Sequence, residues 1–138
     1  MQQYEDLEKI GTQKYKDNNF CAVIALSVVT GLSFKRVKRK LEKFGRVHRQ
    51  GTMTSTMLRF LKCYDVDYQW LHFNNRPTVG ELVKQGSKGT FLLFQHAHVS
   101  AMVDSDLNDH TNPNRNDKRK QYSKARVIQV LKINKKEN

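Results

Sequence analysis

Asn18-Asn19-Phe20-Cys21-Ala22-Val23-Ile24-Ala25-Leu26-Ser27-Val28-Val29 turns from polar to almost wholly apolar at a single cysteine. Side chains that are apolar nearly all round predict a helix over 21–30 buried on most sides, with Gly31 as its C-terminal stop. Asn18 or Asn19 is the expected N-cap. Cys21 then heads the helix, where backbone N–H groups and the positive end of the helix dipole favour a thiolate over a thiol. A cysteine at a helix start also reads as a small core residue. To read it as a nucleophile, an imidazole must reach it from elsewhere in the chain.

Around this helix the patterning is regular. Residues 4–10 read as a short helix and 11–19 as a polar, turn-rich connection. Ser33 caps a helix over 34–44 in which Phe34, Val37, Leu41 and Phe44 form one apolar stripe and lysines and arginines cover the rest. Gly45 ends it, a basic loop follows over 45–51, and a third helix spans 53–63 with Met53, Met57, Phe60 and Leu61 inward. From Val66 the period becomes two, giving a strand over 66–72. Thr78-Val79-Gly80-Glu81 is a capping box that opens a short helix ending at Gly86. Strands follow over 90–95 and 98–103, then a turn at Asp104-Ser105-Asp106, a long polar basic loop over 108–123, and a last strand over 125–133. Helices first and an antiparallel sheet second is an α+β order. The length, 138 residues, fits one domain over 1–133, with a disordered basic tail at 134–138.

The chain carries 25 Lys+Arg against 13 Asp+Glu, a formal charge of +12, which points to an acidic partner: nucleic acid or an acidic protein. No apolar run approaches the roughly 18 residues of a membrane span. No signal-peptide pattern opens the sequence. A cytoplasmic protein with reduced cysteines and no membrane partner is therefore expected.

A base for Cys21 must come from the sheet half. His72, His96 and His98 are the candidates, and on a regular strand His96 and His98 would share a face, so spacing alone does not rank them. An imidazole is commonly oriented by a third group. If Asp104-Ser105 form a two-residue turn, Val103 faces Asp106, and Asp109 lies one diagonal step from His98 on the same face. A three-residue turn puts Asn112 opposite His98 instead. Cys63 reads as a packing residue. A zinc site from Cys21, Cys63, His96 and His98 lacks a Cys-x-x-Cys pair, so no metal and no cofactor are expected.

The ordered set Cys21-Ala22-Val23-Ile24-Ala25, Thr30-Gly31, Ser33 to Val37, Gly45-Arg46, Pro77 to Leu82, Gly89-Thr90 and Ala97-His98-Val99-Ser100-Ala101-Met102-Val103-Asp104 resembles papain-like cysteine peptidases. The nearer likeness is to the small C39-like peptidase-fold proteins of bacteriophages, and it covers roughly 20–130. The resemblance implies a papain-like fold and a Cys21-His98-Asp109 triad, selecting His98 over His96 and Asp109 over Asn112. It also implies a phage-encoded thiol hydrolase in the host cytoplasm, acting on a peptide or isopeptide bond of a host or phage protein. This chain departs from the group in having Phe20 where an aspartate precedes the cysteine and Ile24 where an arginine follows. Those two changes together replace an opposite-charge pair by apolar side chains. The upstream oxyanion donor of such enzymes has candidates in Gln13, Asn18 and Asn19.

A different function is compatible with the charge. Lys35, Arg36, Lys38, Arg39, Lys40, Arg46 and Arg49, with Arg115, Lys118 and Arg119, are expected to form a basic docking surface for nucleic acid or an acidic protein. On that reading the peptidase-like core is a weak or inactive scaffold. Aromatic residues are sparse among these cations, which argues against single-strand recognition. The bland reading of the same residues is a solvated face that keeps a small protein soluble.

Overall fold

The computed structural model describes residues 4–15, 20–48, 51–109, 112, 122 and 124–134. The order is α1 (Tyr4–Lys9), a π-type turn (Ile10–Lys14), α2 (Cys21–Thr30), α3 (Phe34–Lys43), α4 (Thr54–Cys63), β1 (Asp67–Leu71), α5 (Val79–Lys84), β2 (Thr90–Gln95), β3 (His98–Val103), β4 (Asp106–Asn108) and β5 (Gln129–Asn134). The fold is α+β. Contacts divide the described chain into a helical unit, ending at Asp67, and a second unit, Tyr68–Asn134, that holds the sheet.

In the helical unit, α2 is the centre. Every residue from Ala22 to Val29 is buried. Four of the eight are β-branched, which suits a helix poorly, so burial rather than intrinsic propensity holds this element together. Gly31 closes it in the left-handed region at φ +78, donating its N–H to the Ser27 carbonyl at 2.9 Å. The N-cap is Phe20, not an asparagine, and its side chain caps nothing. Phe20 instead meets Phe34 edge to face at 6.0 Å, and Tyr15 stacks on Phe34 at 5.6 Å. Gly11 leaves room for this ring: a Cβ there would lie 3.1 Å from it. The region read as turn-rich is thus partly helical, with Tyr15 N–H reaching back to the Ile10 carbonyl at 3.1 Å.

Ser33 caps α3 by accepting from Arg36 N–H at 3.2 Å, and Phe34, Val37 and Leu41 are fully buried. Lys38 is buried as well, contrary to its expected place on a basic surface. It follows Phe34 by one helical turn, so it shares the apolar flank, where it pairs with Glu42 and lies over the Tyr15 ring at 5.2 Å. Arg46 is buried too. Gly45, at φ +111, reverses the chain so that Arg46 N–H returns to the Leu41 carbonyl at 2.9 Å, which folds residue 46 back against the helix. Met53 is another correction. It is the N-cap of α4 with extended backbone, ahead of the helical repeat, and is 72% exposed, while Met57, Phe60 and Leu61 are buried as the spacing predicts.

In the second unit the strand order is β1-β5-β2-β3-β4. β2 is antiparallel to both neighbours, with Phe91 opposite Met102 and Lys132, and Leu93 opposite Ser100 and Val130. All six β2 residues are buried, so both faces of the sheet's centre are covered. On one face Phe91, Leu93, Met102, Leu107 and Val130 form a core with Val79 and Leu82 of α5. The capping box that starts α5 is present, Thr78 accepting from Glu81 N–H at 3.2 Å and Glu81 from Thr78 N–H at 3.3 Å. The last strand is shorter than the sequence suggests. Residues 125–128 contribute only a bridge at Arg126 to Thr78 before β5 begins.

Two substitutions test the helical core. Phe34→Ala removes the ring on which Tyr15 and Phe20 both rest and is expected to cost about 3–5 kcal/mol in urea unfolding. Ser27 is fully buried, and its hydroxyl has no hydrogen-bond partner among the described residues. Ser27→Ala is therefore expected to raise stability, by about 1 kcal/mol. A loss of stability in Ser27→Ala would show that the hydroxyl is satisfied in solution.

Candidate active site

The register of one hairpin decides which side chains meet His98. Asp104 and Ser105 have φ +49 and +70, left-handed values at both central positions of a two-residue turn. Val103 therefore faces Asp106, and Ala101 faces Asn108. The turn is tied down from outside the hairpin. Asp104 exchanges two 2.8 Å bonds with Gly89, and Ser105 Oγ donates to the Ser87 carbonyl at 3.0 Å. Asp106, read as part of the turn, is instead the first residue of β4.

Carrying that register one step further puts Asp109 across from Ser100, diagonal to His98 and on the same face. His98 Nε2 is 2.8 Å from Asp109 Oδ1. The Asp109 side chain is 5% exposed and the His98 side chain 24%. A buried carboxylate needs a positive or donating partner, and the imidazole supplies one. With Nε2–H donating to the carboxylate, the neutral ring carries its proton-accepting lone pair on Nδ1.

His96 is separated from this geometry by the backbone. Gln95 pairs with His98, so His96 and Ala97 form the connection between β2 and β3, with Ala97 at φ +55. The two histidines do not lie on one regular strand, and His96 is exposed. His72 follows the end of β1 and is exposed. Asn112, the alternative orienting group, is fully buried in a different role. Its Nδ2 donates to the Leu107 carbonyl at 2.7 Å and to Asp106 Oδ1 at 3.2 Å, and its N–H donates to the Asp109 carbonyl at 3.1 Å. It fixes the backbone that carries Asp109.

Two further polar residues share this end of the sheet face. Gln95 and Ser100 are buried, and Gln95 Nε2 donates to Ser100 Oγ at 3.0 Å. Neither was singled out from the sequence. The signal was there, because strand alternation puts both on the His98 face once the turn after Gln95 is known.

Cys21 belongs to the helical unit. It is the first residue of α2 and is half-buried, its helix entering from an N-cap that offers the first-turn N–H groups no side-chain acceptor. The two apolar residues flanking Cys21 are packed: Phe20 on Phe34 and Gly11, and Ile24 at 2% exposure. Cys63, read as packing, is exposed at the end of α4. Gln13 is exposed in the π-type turn, while Asn18 and Asn19 lie outside the described residues. Among the described residues no three His, Cys, Asp or Glu side chains cluster as a metal ion would require.

Among the described residues, two members of the expected basic surface are interior. Lys35, Arg36 and Arg39 are exposed and Lys40 is half-exposed, but Lys38 and Arg46 are interior. Arg36 lies over Tyr64 at 5.8 Å, and Lys40 and Arg59 over Phe44 at 5.4 and 4.8 Å. These cations rest on rings of their own unit. Arg49, Arg115, Lys118 and Arg119 lie outside the described residues. Among the described residues no helix is long and apolar enough to cross a membrane.

Set against protein-family models, curated proteins and solved structures, the chain matches none. What the site does must be argued from its residues.

The pairing makes a direct prediction. Asp109→Ala is expected to release the His98 Nε2–H, moving its imidazole nitrogen resonances toward those of a solvated ring in ¹⁵N NMR. Asn112→Ala removes a donor from the buried Leu107 carbonyl and is expected to cost roughly 1–3 kcal/mol in thermal unfolding. It should also broaden the His98 signals as Asp109 loses its support. Unchanged His98 resonances in Asp109→Ala would mean that the pair does not form in solution.

Proposed function

We propose that this protein is a cysteine-dependent hydrolase of the peptidase type, with Cys21 as nucleophile, His98 as base and Asp109 as the group that orients the base. The observation that carries the reading is the His98–Asp109 pair: a buried carboxylate on one ring nitrogen of a partly exposed imidazole. A general base needs that combination, since the fixed nitrogen sets the tautomer while the exposed part of the ring can meet a reacting group. The position of Cys21 at the head of a buried helix supports it from the other side of the reaction. The likeness of the ordered motifs to small phage peptidase-fold proteins gives the substrate class, a peptide or isopeptide bond.

In this mechanism His98 Nδ1 takes the thiol proton and the Cys21 sulfur attacks the carbonyl carbon. Asp109 stabilises the imidazolium so formed. The Cys21 backbone N–H contributes to holding the tetrahedral oxyanion. Collapse breaks the C–N bond, the imidazolium proton leaves with the amine, and a thioester remains. A water, deprotonated by His98, then attacks the thioester, restoring the thiol and releasing the acid. A phage-encoded enzyme acting on a host or phage protein in the cytoplasm is the setting this reading carries.

The alternative, a catalytically silent module holding an acidic partner on α3, loses two of its named cations, Lys38 and Arg46, to the interior. No observation among the described residues favours it over catalysis.

Thiol alkylation tests the proposal in a Cys63→Ser background, which removes the exposed second thiol. Iodoacetamide is expected to label Cys21 at pH 6 at least about tenfold faster than an ordinary thiol, whose pKa is about 8.5. His98→Ala should abolish that advantage and Asp109→Ala should reduce it. A Cys21 rate that follows ordinary thiol titration and ignores His98→Ala sinks the reading.

A further inference from the structure

The second unit contains a hollow with no part in this chemistry. Between α5 and the sheet lies a cavity of about 340 Å³ whose walls include Leu82, Phe91, Leu93, Met102 and Val130. These are residues of the unit's own core and form its floor, while Leu71 and Phe73 stand at its more open side. Exposed Phe73 and Gln85 also line it, so the space opens to solvent. Its volume falls at the lower end of the range for small-molecule sites.

The lining is ordered from one end to the other. Gln85, Ser87 and Lys88 line it from the connection before β2, and Lys132 lines it from β5. The register places Lys132 opposite Phe91, near the start of β2, so both lysines belong to the same end of the strand pair. One step further along, Leu93 faces Val130, and there the lining is apolar. Among the described residues neither ammonium is paired with a carboxylate. The cavity thus presents unneutralised cations at its polar end and aliphatic and aromatic carbon within. Lys132 lies at the Phe91 end of β2, away from Gln95 and His98 at the other end of the strand pair, whereas Leu93 is level with Ser100 and so with Asp109.

We infer that this cavity is a binding site for a small amphipathic carboxylate, its apolar chain against Leu71, Phe73 and Phe91 at the rim and its anionic head beside Lys88 and Lys132. A neutral apolar ligand would make no use of the two ammonium groups, which water otherwise solvates. A fully polar anion would leave the walls wet. An aliphatic carboxylate satisfies both ends. The site is independent of the hydrolase reading.

Decanoate, below its micellar concentration, is the probe. Titrating it into the full chain labelled at methionine methyls is expected to shift the Met102 signal saturably while leaving that of exposed Met53 in place. Lys88→Ala combined with Lys132→Ala removes two charges at exposed or half-buried positions and should keep the fold. It is expected to weaken decanoate binding by about tenfold or more. Decanol should bind more weakly than decanoate to the unsubstituted protein and equally to the double variant. No saturable Met102 shift overturns the site itself. Equal binding of decanoate and decanol to the unsubstituted protein, or a double variant that binds decanoate undiminished, overturns its selectivity for an anion.

Discussion

The chemistry of the second unit depends on a turn of two residues. Because side chains alternate with period two, a slip of one position in the β3–β4 pairing would carry Asp109 to the other face of the sheet. The left-handed backbone at Asp104 and Ser105 prevents that slip, and neither residue adopts it without cost. The cost is offset locally. Gly89 bonds the Asp104 backbone and carboxylate, and Ser87 accepts the Ser105 hydroxyl, so the turn is held from the strand-entry side as well as by its own hairpin. Asn112 then fixes the exit from β4. His98 and Asp109 meet because backbone bonds on both sides of them leave one register.

The helical unit solves a different problem with apolar packing. A cysteine at the head of a helix is useful only if that helix does not fray, and the N-cap here offers no capping bond. The end is held by its neighbours instead. Phe20 is set between Gly11 and Phe34, Tyr15 covers Phe34, and the next seven residues after Ala22 are buried to within a few per cent. Phe20 and Ile24, on either side of the cysteine, provide interior contacts. Apolar side chains at these places carry no ionic desolvation cost.

Much of this was legible because it followed from short-range rules. The boundaries of β2 and β3, the capping box at Thr78 and Glu81, and the stripe of α3 come directly from alternation, cap chemistry and helical spacing. The sheet register was legible only conditionally. Asp104-Ser105 is a weaker two-residue turn signal than a pair ending in glycine, so two registers stood open, with Asp109 in one and Asn112 in the other. His96 misled for a similar reason, since nothing in Gln95-His96-Ala97-His98 announces a turn whose left-handed residue is an alanine. Burial of Lys38 and Arg46 depends on tertiary neighbours that charge counting ignores: an aromatic ring and Glu42 for one, a chain reversal at Gly45 for the other. Met53 failed because a helical repeat extrapolated by one residue passes the point where the backbone is still extended.

Strand alternation puts the His98–Asp109 pair and much of the cavity lining on one face of the sheet. Phe91, Leu93 and Gln95 point the same way from β2, as do His98, Ser100 and Met102 from β3. Going along that face from the β2–β3 turn, the level of Gln95 and His98 is followed by that of Ser100, Leu93 and Val130, and then by that of Met102, Phe91 and Lys132. Distance along the strands, not the hydrocarbon between, keeps Lys132 apart from the His98–Asp109 pair, because buried hydrocarbon screens a charge less than water does. In a medium of low polarity a cation too close to that pair would weaken the hold of the carboxylate on the ring. A sheet face ordered in this way can carry a base at one end and an anion site at the other, provided the core between them stays closed. The full burial of Leu93 and near-complete burial of Met102 meet that condition.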